Sequence, residues 1–494
     1  MSAMSNLNTL HHPSIPNAGR RHFLRAASGL AAAAASPFGP QFNAPLALGL
    51  AGLGAMAAQG ASAADTSGGY KALVCLYMAG GNDSHNWVVP IDSTGYADYA
   101  AVRRELAWAQ AKLLPITSTS QGSGRAFGMP LDLQPLQALY EAGKCAVVAN
   151  VGPLERPITK ADFTAGNNLP AKLFSHNDQQ STWQSLSAEG ARSGWGGRMG
   201  DALMSANQYP VFTAVSAAGN AVFLTGSGVT QYQVGADGPV AVGGLSNAWL
   251  TGSSSASGAL RRVLASPGVD PFQVEYARVM QRSIDTSSTL AAALAAPAGG
   301  AVPALPSNNI ALASGGSLTL STDSLAKQLR VVAQMIAAGP GLGMKRQVFM
   351  VQLGGFDSHA NQMRDQPLLM SRVAWASSWF MSALASVGMM DSVTLFTASD
   401  FGRTLASNGA GSDHGWGSHH FVAGGAVKGR NIYGRFPVTA LGTADDMGSG
   451  RLLPSTSVTE YAATLGRWMG LTATELTTVL PNLGNFSLPA QGFV

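Results

Sequence analysis

Charge is scarce in this chain: Asp, Glu, Lys and Arg together make 11% of 494 residues, against 46% hydrophobic. The 30 basic residues outnumber the 26 acidic ones, but Arg20, Arg21 and Arg25 lie in residues 1–64, which hold no acid, so 27 face 26 elsewhere. Such a balance forms no basic stripe, and no aromatic-plus-basic motif compensates, which excludes a nucleic-acid partner. Cysteine is rarer still. Cys75 and Cys145 both fall in predicted strands; in an oxidising compartment they could pair, and buried thiols on neighbouring strands are the favoured reading. The Ala/Gly/Leu-rich stretch after Arg25 is broken by Pro37, Pro40 and Pro45, too often for a stable membrane span.

That stretch has another use. Gly19-Arg20-Arg21-His22-Phe23-Leu24-Arg25 is a twin-arginine pattern, and the segment closes on small residues, Ala61-Ser62-Ala63-Ala64. Residues 1–64 therefore read as a twin-arginine signal peptide cleaved after Ala63 or Ala64, with an uncleaved anchor as the alternative. The expected location is periplasmic or secreted, with the twin-arginine translocase as a transient partner. This route carries folded proteins, often with a metal or cofactor already inserted. Residues 65–494 suffice for one large α/β domain with an insertion, or for two domains.

Apolar, β-branched runs alternate with helical patterns, which predicts a mostly parallel sheet between helices. Strands are expected at Lys71–Met78, Lys144–Val151, Gln347–Leu353 and Ser392–Ala398. Helices are expected at Leu133–Gly143, Ser324–Ala338 and Leu368–Val387, and another opens on the capping box Ser457-Val458-Thr459-Glu460. Between about 194 and 321 Gly, Ser and Ala dominate, with strand-like pieces at Val211–Val215 and Ala221–Leu224 and a low-complexity loop from Pro297 to Gly316. This segment reads as an inserted cap.

One motif occurs twice. Gly80-Gly81-Asn82-Asp83-Ser84-His85 and Gly354-Gly355-Phe356-Asp357-Ser358-His359 each follow a predicted strand. Ligands of open parallel sheets bind beyond the carboxyl ends of strands, where Asp83, Asp357 and Asp400 all fall. Carboxylates gathered at one rim repel unless a cation lies among them. His359, His414 and His419 add imidazoles; His419 and His420 point to opposite faces, so at most one of them reaches the site. Ser175, at a predicted helix start, is a candidate nucleophile or an ordinary N-cap, with His176 beside it. Arg403 and Arg156 are candidates for a substrate oxyanion, or ordinary surface or ion-pair charges. A duplicated structural turn is the competing account of the repeat.

These motifs, with Ser399-Asp400-Phe401-Gly402-Arg403 and Asp413-His414-Gly415-Trp416-Gly417, resemble the exported bacterial family called domain of unknown function 1501. That family looks like a branch of the alkaline phosphatase and sulfatase superfamily. The resemblance implies an alkaline phosphatase-like α/β fold and a metal-dependent hydrolase of phosphate or sulfate esters. Its substrate would be a small-molecule or polymer-borne anionic ester. Asp83, Asp357, His359, Asp400, His414 and His419 would be metal ligands for zinc, manganese or calcium, and Ser175, His176 and Arg403 catalytic residues. Two departures matter: Phe401 stands where the two-metal enzymes have His, and Asn361 stands four positions after Asp357 where they place another. The formylglycine motif Cys-x-Pro-x-Arg is absent. The alternative reading is a non-catalytic envelope protein of the same fold, acting in secretion or surface assembly.

Overall fold

Long apolar runs without polar alternation form strands only where both sheet faces are covered, and this chain has several. The computed structural model describes residues 64–240, 245, 252–266, 268, 270–486 and 492–494. The expected signal peptide thus lies outside the described residues, apart from Ala64. The main sheet is built from β1 (Lys71–Met78), β2 (Cys145–Gly152), β3 (Ala214–Ser216), β4 (Tyr232–Gly235), β5 (Gly238–Pro239), β6 (Arg346–Leu353), β7 (Val393–Ser399), β8 (Ser418–Gly424), β9 (Ile432–Tyr433) and β10 (Thr456–Ser457). Its order is β9-β2-β8-β7-β1-β6-β3-β4-β5, with β10 also on β2. Pairing is parallel except at β8, antiparallel to both its neighbours, and at the β4–β5 hairpin. The expected α/β class, a mostly parallel sheet between helices, is the one observed.

Strand β1 shows how the layers divide. Ala72, Val74, Leu76 and Met78 enter one core, with Leu325, Leu329, Val332 and Ile336 of the helix Ser324–Ala338. Leu73, Cys75 and Tyr77 enter the other, with Trp195, Tyr461 and Leu465. Side chains alternate along a strand, so the sheet separates two apolar layers. No helix among the described residues is long and apolar enough to cross a membrane.

Three boundaries differ from the sequence expectation. The helix expected at Leu368 begins at Gln362, with Pro367 inside it; Gln362 Nε2 bonds Gln366 Oε1 at 3.0 Å, and Gln366 Nε2 bonds the Asp83 carbonyl, which hold the turn that proline weakens. The strand-like piece at 221–224 is largely a 3₁₀ turn, Val222–Leu224, and that at 211–215 opens in another, Pro210–Phe212, before Ala214 and Val215 enter β3. The segment expected to be a cap from about Gly194 starts as core instead: the helix Trp195–Leu203 buries Trp195, Met199 and Leu203, and β3 and β4 extend the main sheet. Abundant Gly and Ala there allow close helix packing, which composition does not distinguish from loop.

Cys75 and Cys145 are on strands separated by β7 and β8, and they face opposite cores. Both are buried and free, and burial raises both thiol pKa values. Thiol titration of the protein should therefore find no reaction in the native state and both sulfhydryls on unfolding without reductant. A disulfide would contradict this sheet order.

Candidate metal centre

Three strand ends lie level at one rim: Met78 of β1 is in register with Leu353 of β6 and Ser399 of β7. The loops that follow pack tightly because Gly80, at φ +117°, has no Cβ; one placed there would stand 2.5 Å from the Asp357 backbone nitrogen. Arg403 is fully buried and donates from Nη1 to Asp357 Oδ1 (2.7 Å) and to the Gly80 carbonyl (3.2 Å). Its Nε and Nη2 donate to the Ser412 carbonyl. Partial burial pushes the Asp357 carboxyl up, but the Arg403 bond and charge, with His359 and His414, bring it below the ordinary range.

Three imidazoles surround this carboxylate. Nε2 of His359 and of His414 lie 3.1 and 3.2 Å from Oδ1, and Nε2 of His176 lies 3.5 Å from Oδ2. The other nitrogen of each ring meets an oxygen. His176 Nδ1 is 2.7 Å from the Asp400 carboxylate, His414 Nδ1 is 2.7 Å from the Phe174 carbonyl, and His359 Nδ1 is 3.2 Å from the Asp413 carboxylate. These oxygens can only accept, so each Nδ1 carries the hydrogen and each neutral ring keeps its lone pair on Nε2. The His359 and His414 Nε2 atoms are 2.9 Å apart and cannot both be protonated. Burial, then the Arg403 charge, lower the His414 pKa despite the Phe174 bond.

Lone pairs and a carboxylate aimed at one point repel unless a cation joins them. Donor atoms of His176, Asp357 and His414 fall within 4.8 Å of one another, and His359 stands beside His414. The set fits a divalent ion. Imidazole-rich ligands suit zinc, while calcium needs six or more oxygens and manganese favours oxygen donors.

Of the residues expected at this site, Asp357, His359 and His414 come together, and His176 joins them as a ligand candidate. Asp400 is buried and saturated by donors from Tyr77 Oη, Gly80 N, Gln180 Nε2 and His176 Nδ1, so it orients His176 and does not face the ion position. Asp83 is neutralised in the interior by Arg103 and Gln362 Nε2, on the far side of Gln362 and Ser412. His419 is a core residue: its Nδ1 accepts from Asn150 N and its ring stacks on Phe436. His420 packs on Trp183. Arg403 spends its donors on Asp357 and backbone carbonyls, so it holds Asp357 and has no group free for substrate. Ser175 is the N-cap of the helix His176–Ser185, but its hydroxyl donates to Asp178 at 3.0 Å and makes no cap bond. Ser84 Oγ is buried and accepts from His419 N. Arg156 is exposed. Phe401 packs on the rings of His176 and His414, so the imidazole beside position 401 belongs to a residue more than 200 positions earlier in the chain.

An α/β sheet with a His and Asp centre at its carboxyl rim is the class of protein the geometry defines. The chain belongs to the family described as protein of unknown function, DUF1501, whose model matches residues 70–480. It is similar to the solved structure of Ps i-CgsB in complex with k-i-k-neocarrahexaose, at 11% identity over 85% of this chain and 77% of that one, with a TM-score of 0.33. It is also similar to the lipoteichoic acid synthase LtaP from Listeria monocytogenes (9%, 84% and 76%, 0.30). The PsFucS1 sulfatase from Pseudoalteromonas sp. is a third (9%, 88% and 73%, 0.30). Likeness at these scores carries no functional inference. The curated proteins give no match.

Two outcomes follow. Asp400→Asn should weaken metal binding roughly 10- to 100-fold, as expected for a residue that orients a ligand, while Arg103→Met should cost about 3–5 kcal/mol of stability and spare metal affinity. Metal titration and denaturant unfolding separate the two; loss of metal in Arg103→Met would place Asp83 in the centre after all. Burial also lowers the pKa of His85 to about 4, of His420 to about 3, and of His419 well below its ordinary value. The unfolded chain binds these protons below about pH 6.5 and the folded one does not, so stability falls as pH drops from there towards 4. The slope should be about 1.4 kcal/mol per pH unit for each ring, measured by unfolding in chelator; an unchanged stability at pH 5 would contradict their burial.

Proposed function

We propose that the protein is an exported metal-dependent hydrolase of phosphate or sulfate esters. The observation that carries this is the convergence of three Nε2 lone pairs on Asp357, at a centre where Asp357 and His359 remain 45% and 44% exposed. Closed centres serve structure, whereas catalytic ones keep an open position. His176, Asp357 and His414, whose donor atoms lie within 4.8 Å of one another, would hold the ion, zinc above manganese or calcium, with His359 beside His414 at the open side. When bound, it supplies Lewis-acid polarisation of an ester oxygen and charge neutralisation in the transition state.

The chain's own groups do the rest. Arg403 keeps Asp357 ionised and fixed, and the acceptors Asp400, Asp413 and the Phe174 carbonyl fix the three rings. Ser175 would act as the nucleophile on release from Asp178, a reading supported by its position between Phe174 and His176, which both bond into the centre. The substrate class follows from the order of motifs along the chain, which resembles the phosphatase and sulfatase superfamily. A twin-arginine signal would deliver the folded, loaded protein to the periplasm or beyond it.

The mature protein exported through its own signal should carry stoichiometric metal and cleave p-nitrophenyl phosphate or sulfate. His414→Ala and His176→Ala should lose both properties, and Ser175→Ala should lose turnover by 100-fold or more, on the order expected for a covalent nucleophile, while retaining metal. Elemental analysis and a chromogenic assay read these outcomes. Metal without turnover on any phosphate or sulfate ester would favour the envelope-scaffold reading.

A further inference from the structure

One cation at this rim makes no ion pair with any acid of the described residues. Arg451 sits half-buried after the turn that Asp446 organises. Its Nε donates to the His414 carbonyl at 2.8 Å and its Nη1 to the Gly448 carbonyl at 3.2 Å, and its guanidinium lies 5.1 Å from the centre of the Phe174 ring. His414 and Phe174 are themselves joined, since the Phe174 carbonyl accepts from His414 Nδ1. Arg451 is thus fastened to both segments that deliver the imidazoles of His176 and His414.

The way it is fastened leaves it available. Both fixing bonds go to neutral carbonyls, and no carboxylate of the described residues lies within ion-pair distance. Its charge is thus met by no direct ion pair, only by a longer-range attraction to Asp413. A guanidinium has five N–H donors, and here those on Nη2 and one on Nη1 have no protein partner. Arg403 offers the opposite case, buried and spent. Lys172 is less prepared, 72% exposed beside Asp178.

We infer that Arg451 binds the anionic oxygens of the substrate, so that the centre takes tetrahedral oxyanions and their esters and discriminates against neutral esters. This rests on the hydrolase reading for the identity of the site, and it assigns the residue that recognises the charge. Stacking on Phe174 and the His414 bond hold the fork in place before substrate arrives, so little side-chain freedom is lost on binding.

The test uses the metal-loaded mature protein and calorimetric titration with inorganic phosphate and with sulfate. Arg451→Gln should weaken binding of whichever anion is bound by at least roughly tenfold, the size expected for charge-assisted bonds, with metal content unchanged. Arg451→Lys, which keeps the charge, should fall several-fold and serves where the glutamine variant does not fold. In the ester assay the loss should appear mainly in KM. Equal binding by the variants with metal retained, or no binding of either anion by the wild-type protein, would overturn the assignment. Arg451-dependent anion binding without ester turnover would support it while removing the hydrolase reading.

Discussion

Everything at the rim depends on one buried guanidinium. Arg403 follows β7, yet its donors reach the Gly80 carbonyl beyond β1 and Asp357 beyond β6, and they close on Ser412 in the segment that leads to His414. Burying a full charge is costly unless its donors are met with good geometry. Here one carboxylate and two backbone carbonyls meet them. The same bonds hold the loops after three strands at fixed distances, so a requirement of electrostatics sets the shape of the centre.

Around that anchor, each imidazole is oriented by a different kind of acceptor: a buried carboxylate for His176, a backbone carbonyl for His414, and an exposed carboxylate for His359. The three rings therefore differ in stiffness. His176 is bound to an aspartate that accepts three further donors, whereas His359 leans on Asp413 in a loop that Asn408 steadies. Two firm rings and one looser one would let the coordination of an ion held there adjust without moving the sheet.

Much of this was legible in the sequence. The strand at Lys71–Met78 and the helix at Ser324–Ala338 have the bounds their apolar patterns predict, and the capping box at Ser457 and Glu460 opens the closing helix. The doubled Gly-Gly motif does mark the ends of two paired strands. It misleads on Asp83, because two carboxylates in the same local pattern take opposite roles. Asp357 faces the opening, while Asp83 is claimed by Arg103, which has no local mark in the sequence. Asp400 becomes an orienting group because Tyr77, Gln180 and His176 converge on it from distant segments. His419 misleads for a subtler reason: the pairing of β8 with β2 shifts register between Ser418 and His420, and this turns the ring into the core against Phe436.

The order of the sheet also bears on how the chain comes together. β1 is the first strand of the described residues and lies near the middle of the sheet, where Lys71 pairs with Arg346 and Ala72 with Val393. It cannot find either neighbour until most of the chain has left the ribosome, and pairings so distant in sequence form slowly. An apolar strand with both edges open invites intermolecular pairing in that interval. Early protection of that strand would therefore favour correct folding, and the candidate metal centre, whose residues run from 176 to 414, can be completed only after that interval has passed.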